Sequence, residues 1–260
     1  MLAFMTKPGL VVRPRERLDT VLVERGLVES RQQARAVLLA GEVRVNGEPI
    51  TKPATLVAPT AKVDLLKPPA YVSRGGDKLA HALAESRIDV RGWTCVDIGA
   101  STGGFTDCLL QQGARRVYAV DVGYGQLDYR LRQDDRVLVM ERTNARNLPP
   151  LPEACDLATI DVSFIGVEKV IPAVARSLKP GGHLVVLVKP QFQARREEVG
   201  KRGVVSDPQV HAAVLGRVIA WAVEQRLRLL GLTTSPLLGP AGNREFFVHL
   251  ALSGPQGSAP

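Results

Sequence analysis

Cysteine is scarce: the 260 residues hold three, Cys95, Cys108 and Cys155. They are odd in number, lack metal-ligand spacing and lie in or beside apolar stretches, which excludes a disulfide framework and a cysteine-built metal centre. Buried free thiols in a reducing cytoplasm are expected instead. No apolar run approaches the roughly 20 residues that span a bilayer, and the apolar start of Met1 to Pro14 is too short for a signal-peptide core. An inserting helix and a barrel repeat are both missing, which argues against a membrane-lytic role. The expectation is a soluble, cytoplasmic chain with no metal.

A hydrophobic fraction of 45% supports real cores, and the length suffices for one catalytic domain plus a small module. The net charge of +8 calls for an acidic partner. Nucleic acid is the commonest, although anionic membranes also take basic surfaces, and composition does not choose between them.

Residues 15–66 read as a unit of their own. Leu18, Val21 and Leu22 recur at helical spacing before Gly26, and Ser30 with Gln33 predicts a capping box for a second helix ending at Gly41. Val43 and Val45 alternate with charged residues before the hairpin signal Asn46-Gly47, and Val63 with Leu65 supplies another strand. Ala34, Val37 and Leu38 should face inward, leaving Arg31 and Arg35 one turn apart on the outside, where Arg15, Arg17 and Arg44 could join them. A solvated face mixed with Glu24, Glu29 and Glu42 is the plainer explanation of these arginines. The phrases Arg17-Leu18-Asp19, Ser30-Arg31-Gln32-Gln33-Ala34 and Val43-Arg44-Val45-Asn46-Gly47, in that order, resemble the αL, or S-four-type, RNA-binding domain. The resemblance implies that the five arginines dock on RNA phosphates and shape without reading bases. Residues 67–73, with paired prolines, are expected to form an extended linker.

From residue 74 to about 252, apolar runs alternate with amphipathic stretches, the pattern of a doubly wound α/β sheet. Strands are predicted at Cys95 to Ile98, Val117 to Val120, Val137 to Met140, Leu157 to Ile160, Leu184 to Val188, Leu227 to Thr234 and Phe246 to Leu250. The first runs into Asp97-Ile98-Gly99-Ala100-Ser101-Thr102-Gly103-Gly104-Phe105, a glycine-rich turn opening a helix, where backbone approaches a ligand and free N–H groups meet an anion. Asp121 ends the second strand, placed to accept both ribose hydroxyls of an adenosine. The Gly-x-Gly-x-x-Gly spacing that admits a pyrophosphate is missing, whereas Asp97 is positioned to meet an ammonium, so S-adenosylmethionine fits better than a dinucleotide. Leu178-Lys179-Pro180-Gly181-Gly182 resembles the turn of class I methyltransferases before a strand. Asn144 stands where that class contacts adenine, or serves only to form a turn.

Four ionisable residues sit where element ends should face the crevice: Lys78, Asp161, Lys189 and Glu245. Singly, each has a structural explanation: an exposed helical lysine, an aspartate in a turn, a snorkelling lysine, a glutamate paired with Arg244. Together they match the Lys-Asp-Lys-Glu set of ribose 2′-O-methyltransferases. Residues 15–250 resemble the TlyA family, called haemolysin A-like, through Gly99-Ala100-Ser101-Thr102-Gly103-Gly104-Phe105-Thr106, Asp121-Val122-Gly123-Tyr124-Gly125-Gln126-Leu127, Glu141-Arg142-Thr143-Asn144-Ala145-Arg146 and Val188-Lys189-Pro190-Gln191-Phe192. The linker departs from that family's Arg-x-Trp-Val, reading Pro69-Ala70-Tyr71-Val72 here. The resemblance implies a class I, Rossmann-like, FtsJ-type methyltransferase sheet with a small N-terminal α/β RNA-binding domain. It also implies methylation of cytidine 2′-hydroxyls in ribosomal RNA or ribosomal subunits, with S-adenosyl-L-homocysteine as product. The expected cofactor residues are Asp97, Gly99, Ser101, Gly103, Gly104, Phe105, Asp121 and Asn144, with Lys189 as candidate base. Rival readings are an RNA-binding protein without turnover, a membrane-active haemolysin and a base methyltransferase, although the last would want a Pro-Pro-aromatic phrase where Asp161-Val162-Ser163-Phe164 stands.

Overall fold

The computed structural model describes residues 15–28, 30–66, 70–239 and 241–253. Met1 to Pro14, Glu29 and the linker residues Lys67 to Pro69 lie outside the described residues. Contacts divide the chain into two compact units, 1–68 and 69–260.

In the smaller unit, β1 (Glu16–Arg17) leads into α1 (Leu18–Glu24), followed by α2 (Arg31–Leu39), β2 (Val43–Val45), β3 (Glu48–Pro49), β4 (Leu56–Val57) and β5 (Val63–Leu65). Leu18, Val21 and Leu22 share one helical face and bury it against Ala34 and Leu38 of α2 and Val43 of β2. Each such leucine contributes about 1.5–3 kcal/mol by leaving water. Helix α1 stops because Gly26 takes a left-handed φ of 65°. The Ser30 side chain caps α2 by accepting from the Gln33 N–H at 3.2 Å. Asn46 and Gly47 both have positive φ, 51° and 89°, which turns β2 back onto β3 in the three-stranded order β3-β2-β5.

The larger unit contains α3 (Gly75–Glu85), β6 (Thr94–Ile98), α4 (Gly104–Gln111), β7 (Arg116–Val120), α5 (Tyr129–Arg132), β8 (Val137–Met140), β9 (Cys155–Ile160), α6 (Ile171–Ala175), β10 (Leu178–Val188), α7 (Pro190–Gln193), α8 (Pro208–Glu224), β11 (Leu227–Thr234) and β12 (Phe246–Leu252). Its seven strands lie in the order β11-β12-β10-β9-β6-β7-β8, and β12 runs antiparallel to both neighbours. All five residues of β6 are buried, as expected of a central parallel strand covered on both faces. On one face α3 and α4 pack Leu79, Leu83, Phe105 and Leu109 against Val117, Val185 and Phe247. On the other, α6 and α8 pack Ile171, Val214 and Val218 against Val96, Ile160 and Val248. Because the chain leaves β6 towards β7 and β8 and returns on the other side through β9, the carboxyl ends of β6 and β9 flank an open crevice.

Leu178 to Gly182 is an interruption within β10 rather than a turn before it: the pairing with β9 slips between Leu178 and His183, with Gly181 at φ 75°. Tyr71 and Val72, read as linker, pack against the core beneath α3 and α4. The Val72 N–H donates to Asp107 Oδ2 at 2.8 Å, and a Cβ on Gly76 would fall 2.1 Å from the Tyr71 ring. All three cysteines are buried and free. Among the described residues no helix is long and apolar enough to cross a membrane, and no three His, Cys, Asp or Glu side chains are grouped to hold a metal ion.

Candidate active site

The glycine-rich turn after β6 is built from left-handed residues: Gly99 at φ 83°, Ser101 at 49° and Gly103 at 97°. A Cβ on Gly99 would stand 2.3 Å from the Asp161 carbonyl oxygen, and one on Gly104 would stand 2.2 Å from Ser73 Oγ. These two positions demand glycine because the turn touches the end of β9 on one side and the entry to α3 on the other. Asp121, ending β7, is held from both sides: its Oδ2 accepts from the Ser101 N–H at 2.8 Å and its Oδ1 from the Gly123 N–H at 2.7 Å.

Two cavities meet at this turn. One, of about 520 Å³, is walled by Gly99, Ser101, Asp121, Val122, Asn144 and Phe164. The other, of about 440 Å³, shares Gly99, Ser101 and Asp161 and adds Lys78, Gly104 and Phe105. A larger cavity of about 580 Å³ lies elsewhere, beside the end of α3, lined by Trp93, His183 and His249. It has no glycine-rich turn and none of the four ionisable residues, so its size does not make it the chemical centre.

The eight expected cofactor residues are not all on the cavity walls. Gly99, Ser101, Gly104, Phe105, Asp121 and Asn144 are. Gly103 is not: it lets the chain pass Leu131, whose side chain a Cβ would meet at 2.3 Å. Nor is Asp97, which is fully buried, its carboxylate accepting from Thr106 Oγ1 at 2.7 Å and Thr159 Oγ1 at 3.0 Å. Burial pushes its pKa up to about 7 against the two threonine hydroxyls, and through those bonds Asp97 braces β6 against α4 and β9. Asn144 forms the turn considered for it, its Oδ1 accepting from the Arg146 N–H at 3.0 Å, and it also lines the cavity.

The four ionisable residues form two ion pairs. Lys189, ending β10, places Nζ 2.5 Å from Asp161 Oδ1 and donates to Ser163 Oγ at 2.9 Å. Lys78 donates to Glu245 Oε2 at 2.5 Å, both side chains being nearly buried. Glu245 therefore pairs across 167 residues with Lys78 and not with its exposed neighbour Arg244. The register that sets Val188 opposite Phe246 brings Lys189 and Glu245 to adjacent strand ends, while Lys78 and Asp161 share a cavity wall. Lys78 and Asp161 thus line the crevice, while their partners Glu245 and Lys189 sit behind them at adjacent strand ends and line neither cavity.

Sequence reasoning gave no role to two residues here. Phe164 has φ 62° and is 90% exposed, an unusual state for an aromatic, with its ring 4.8 Å from that of Phe192. Ser163 carries the hydrogen bond from Lys189. The only signal for them was their place in the turn after a strand ending in Asp161.

In the smaller unit the Arg17 guanidinium grips Asp19 through bonds of 3.0 and 2.7 Å, holding that carboxyl below its usual range, and Arg31 donates to Thr20 Oγ1 at 2.8 Å. Arg44 donates to the Gly47 carbonyl at 3.2 Å. Arg15, Arg17, Arg31, Arg35 and Arg44 are all exposed.

Residues 71–252 match the family described as FtsJ-like methyltransferase, and residues 16–63 match the S4 domain. The 16S/23S rRNA (cytidine-2′-O)-methyltransferase TlyA of Mycobacterium tuberculosis is 47% identical over 91% of this chain and 90% of its own length. Hemolysin A of Brachyspira hyodysenteriae is 39% identical over 91% of this chain and 100% of its own. The solved structure of a hemolysin-like protein from Streptococcus thermophilus superposes with a TM-score of 0.72 at 45% identity, covering 95% of this chain and 92% of that one. With its FtsJ-like match over most of the chain and relatives so similar along nearly their full length, the chain belongs to the FtsJ-like methyltransferases, in the TlyA family that joins this domain to an N-terminal S4 domain.

Proposed function

We propose that the protein transfers the methyl group of S-adenosylmethionine to a ribose 2′-hydroxyl, that of a cytidine, in ribosomal RNA. The observation that carries this reading is that the cavity opening at the glycine-rich turn is lined by Lys78 and Asp161, each ion-paired with a residue behind it, Glu245 and Lys189 respectively. The TlyA relative of M. tuberculosis, 47% identical, supports the substrate.

The site suits the cofactor chemically. Asp121 retains lone pairs for a ribose diol beyond the two it gives to Ser101 and Gly123. Val122 and Asn144 would border the adenine, and Gly99, Ser101, Gly104 and Phe105 the methionine portion. Bound there, the cofactor supplies an electrophilic methyl on a sulfonium.

This chain's own residues do the rest. Lys189 is the residue placed to accept the 2′-hydroxyl proton while the oxygen is held in line with the breaking sulfur–carbon bond. Asp161 holds the Lys189 ammonium group by charge, and the buried Glu245 fixes Lys78, so the second cation sits at a defined place. Phe164, held outward beside Phe192, offers a face on which an unstacked base lies while its ribose enters the cavity. The exposed arginines of the S4 domain supply phosphate contacts and affinity.

Lys189→Ala and Lys189→Arg test the mechanism. The alanine variant should lose about 10²–10⁴-fold in kcat with cofactor affinity unchanged. The arginine variant should be as poor, because guanidinium is not deprotonated in a protein. Near wild-type turnover by Lys189→Arg would show that only a fixed charge is needed and would overturn the assignment of the base.

A further inference from the structure

The turn that follows β9 does more than end a strand. The Asp161 N–H donates to the Ile98 carbonyl at 2.9 Å, and the Asp161 carbonyl lies against Gly99 so closely that no Cβ fits. Three residues on, Phe164 takes a left-handed φ of 62°, which throws its ring outward. Ser163 sits between these constraints, exposed on the wall of the 520 Å³ cavity, with its Oγ accepting from Lys189 Nζ at 2.9 Å. Asp161 Oδ1 lies 2.5 Å from the same nitrogen.

From this geometry we infer that Ser163 is a positioning residue for methyl transfer, fixing the rotation of the Lys189 amine so that its lone pair faces the ribose hydroxyl. The inference rests on the reading of Lys189 as proton acceptor. A tetrahedral amine has three positions beyond its own carbon. One N–H is held by a hydrogen bond to Ser163 Oγ, whereas Asp161 Oδ1, 2.5 Å away, draws the nitrogen by charge without forming a hydrogen bond, so Ser163 is the partner that fixes rotation and with it the direction of the lone pair. Were Asp161 the sole partner, the amine could turn about its Cε–Nζ bond, and the lone pair would face the substrate only part of the time. In the reaction the 2′-hydroxyl proton moves to that lone pair, the ribose oxygen bonds the methyl carbon, the sulfur–carbon pair stays with sulfur, and the ammonium later returns its proton to water. Ser163 neither gains nor loses a proton, and touches no reacting atom.

Ser163→Ala keeps the backbone and removes the acceptor. With tritiated S-adenosylmethionine and purified ribosomal subunits, its kcat should fall roughly fivefold to tenfold, the scale of one neutral hydrogen bond, while RNA KM and cofactor affinity stay put. Ser163→Thr, which keeps a hydroxyl, should recover most of the loss. In the Lys189→Ala background Ser163→Ala should cost nothing more, because its effect runs through that lysine. Wild-type kcat in Ser163→Ala, a rise in KM alone, or an equal further loss without Lys189 each overturns the inference. A measurement that needs no turnover separates it from the proposed reaction. In protein carrying ¹⁵N-labelled lysine, the Lys189 Nζ protons should exchange slowly with water in wild type and Ser163→Thr and fast in Ser163→Ala. Equal exchange in all three overturns the positioning role even if methylation fails for other reasons, and transfer that survives Lys189→Ala refutes the base assignment alone.

Discussion

Glu245→Ala removes the carboxylate from a pair whose two side chains are only 10% and 1% exposed, so solvent does little to screen what remains. Lys78 would be left as an uncompensated, nearly buried charge, an error that typically costs about 3–5 kcal/mol. For a domain of this size each kcal/mol moves Tm by roughly 2–4 °C, so a fall on the order of 6–20 °C is expected. The double replacement Lys78→Met with Glu245→Leu should restore much of that stability, because apolar side chains of similar volume carry no desolvation cost, yet leave the enzyme without turnover. Thermal unfolding followed by circular dichroism, in parallel with methyl-transfer assays on the same samples, reads both. A loss below about 1 kcal/mol for Glu245→Ala, the scale of an exposed ion pair, would refute the view that this pair is a buried structural element of the site.

Asp121→Ala should weaken S-adenosylmethionine binding at least tenfold by calorimetry, since a charged hydrogen-bond partner contributes about 1.5–3 kcal/mol, with Tm of the free protein lowered only slightly. Arg31→Ala combined with Arg35→Ala should weaken binding to ribosomal RNA and make it less steep in salt, read as a smaller slope of log affinity against log salt, while leaving cofactor affinity alone. Asp97 has its folded pKa raised to about 7, so between the ordinary carboxylate pKa and 7 the folded state binds the extra proton and stability falls as pH rises through that window. Asp97→Asn should therefore flatten that decline, its advantage over wild type growing from pH 4 to pH 8 in urea unfolding; a difference that is constant with pH would contradict the burial argument.

The strands were legible because apolar runs of four to eight residues bounded by glycine and proline suit few other elements, and Leu157 to Ile160 needed only two more residues to become β9. Asn46-Gly47 announced its hairpin through a demand for positive φ that few dipeptides meet. The site was legible as a set of residues at strand ends, but its pairing was not. Nothing local distinguishes Arg244 from Lys78 as the partner of Glu245; only the β10–β12 register and the placement of α3 decide it. The partners of Asp97 were hidden for the same reason. Its position before a glycine-rich turn suggested a ligand contact, whereas its carboxylate is taken by Thr106 on the next helix and Thr159 on a neighbouring strand. Phe164 and Ser163 escaped notice because a left-handed aromatic leaves no periodic trace.

The measurement that tests the central claim most directly is the chemical position of the transferred methyl. Purified wild-type protein, tritiated S-adenosylmethionine and unmodified ribosomal subunits are combined, and the labelled RNA is digested and mapped by mass spectrometry. The account predicts label on the ribose of a cytidine, which makes the adjoining phosphodiester resistant to alkali, and label formed about 10²–10⁴-fold more slowly with Lys189→Ala. Methyl groups on a nucleobase, or undiminished transfer by Lys189→Ala, would contradict it.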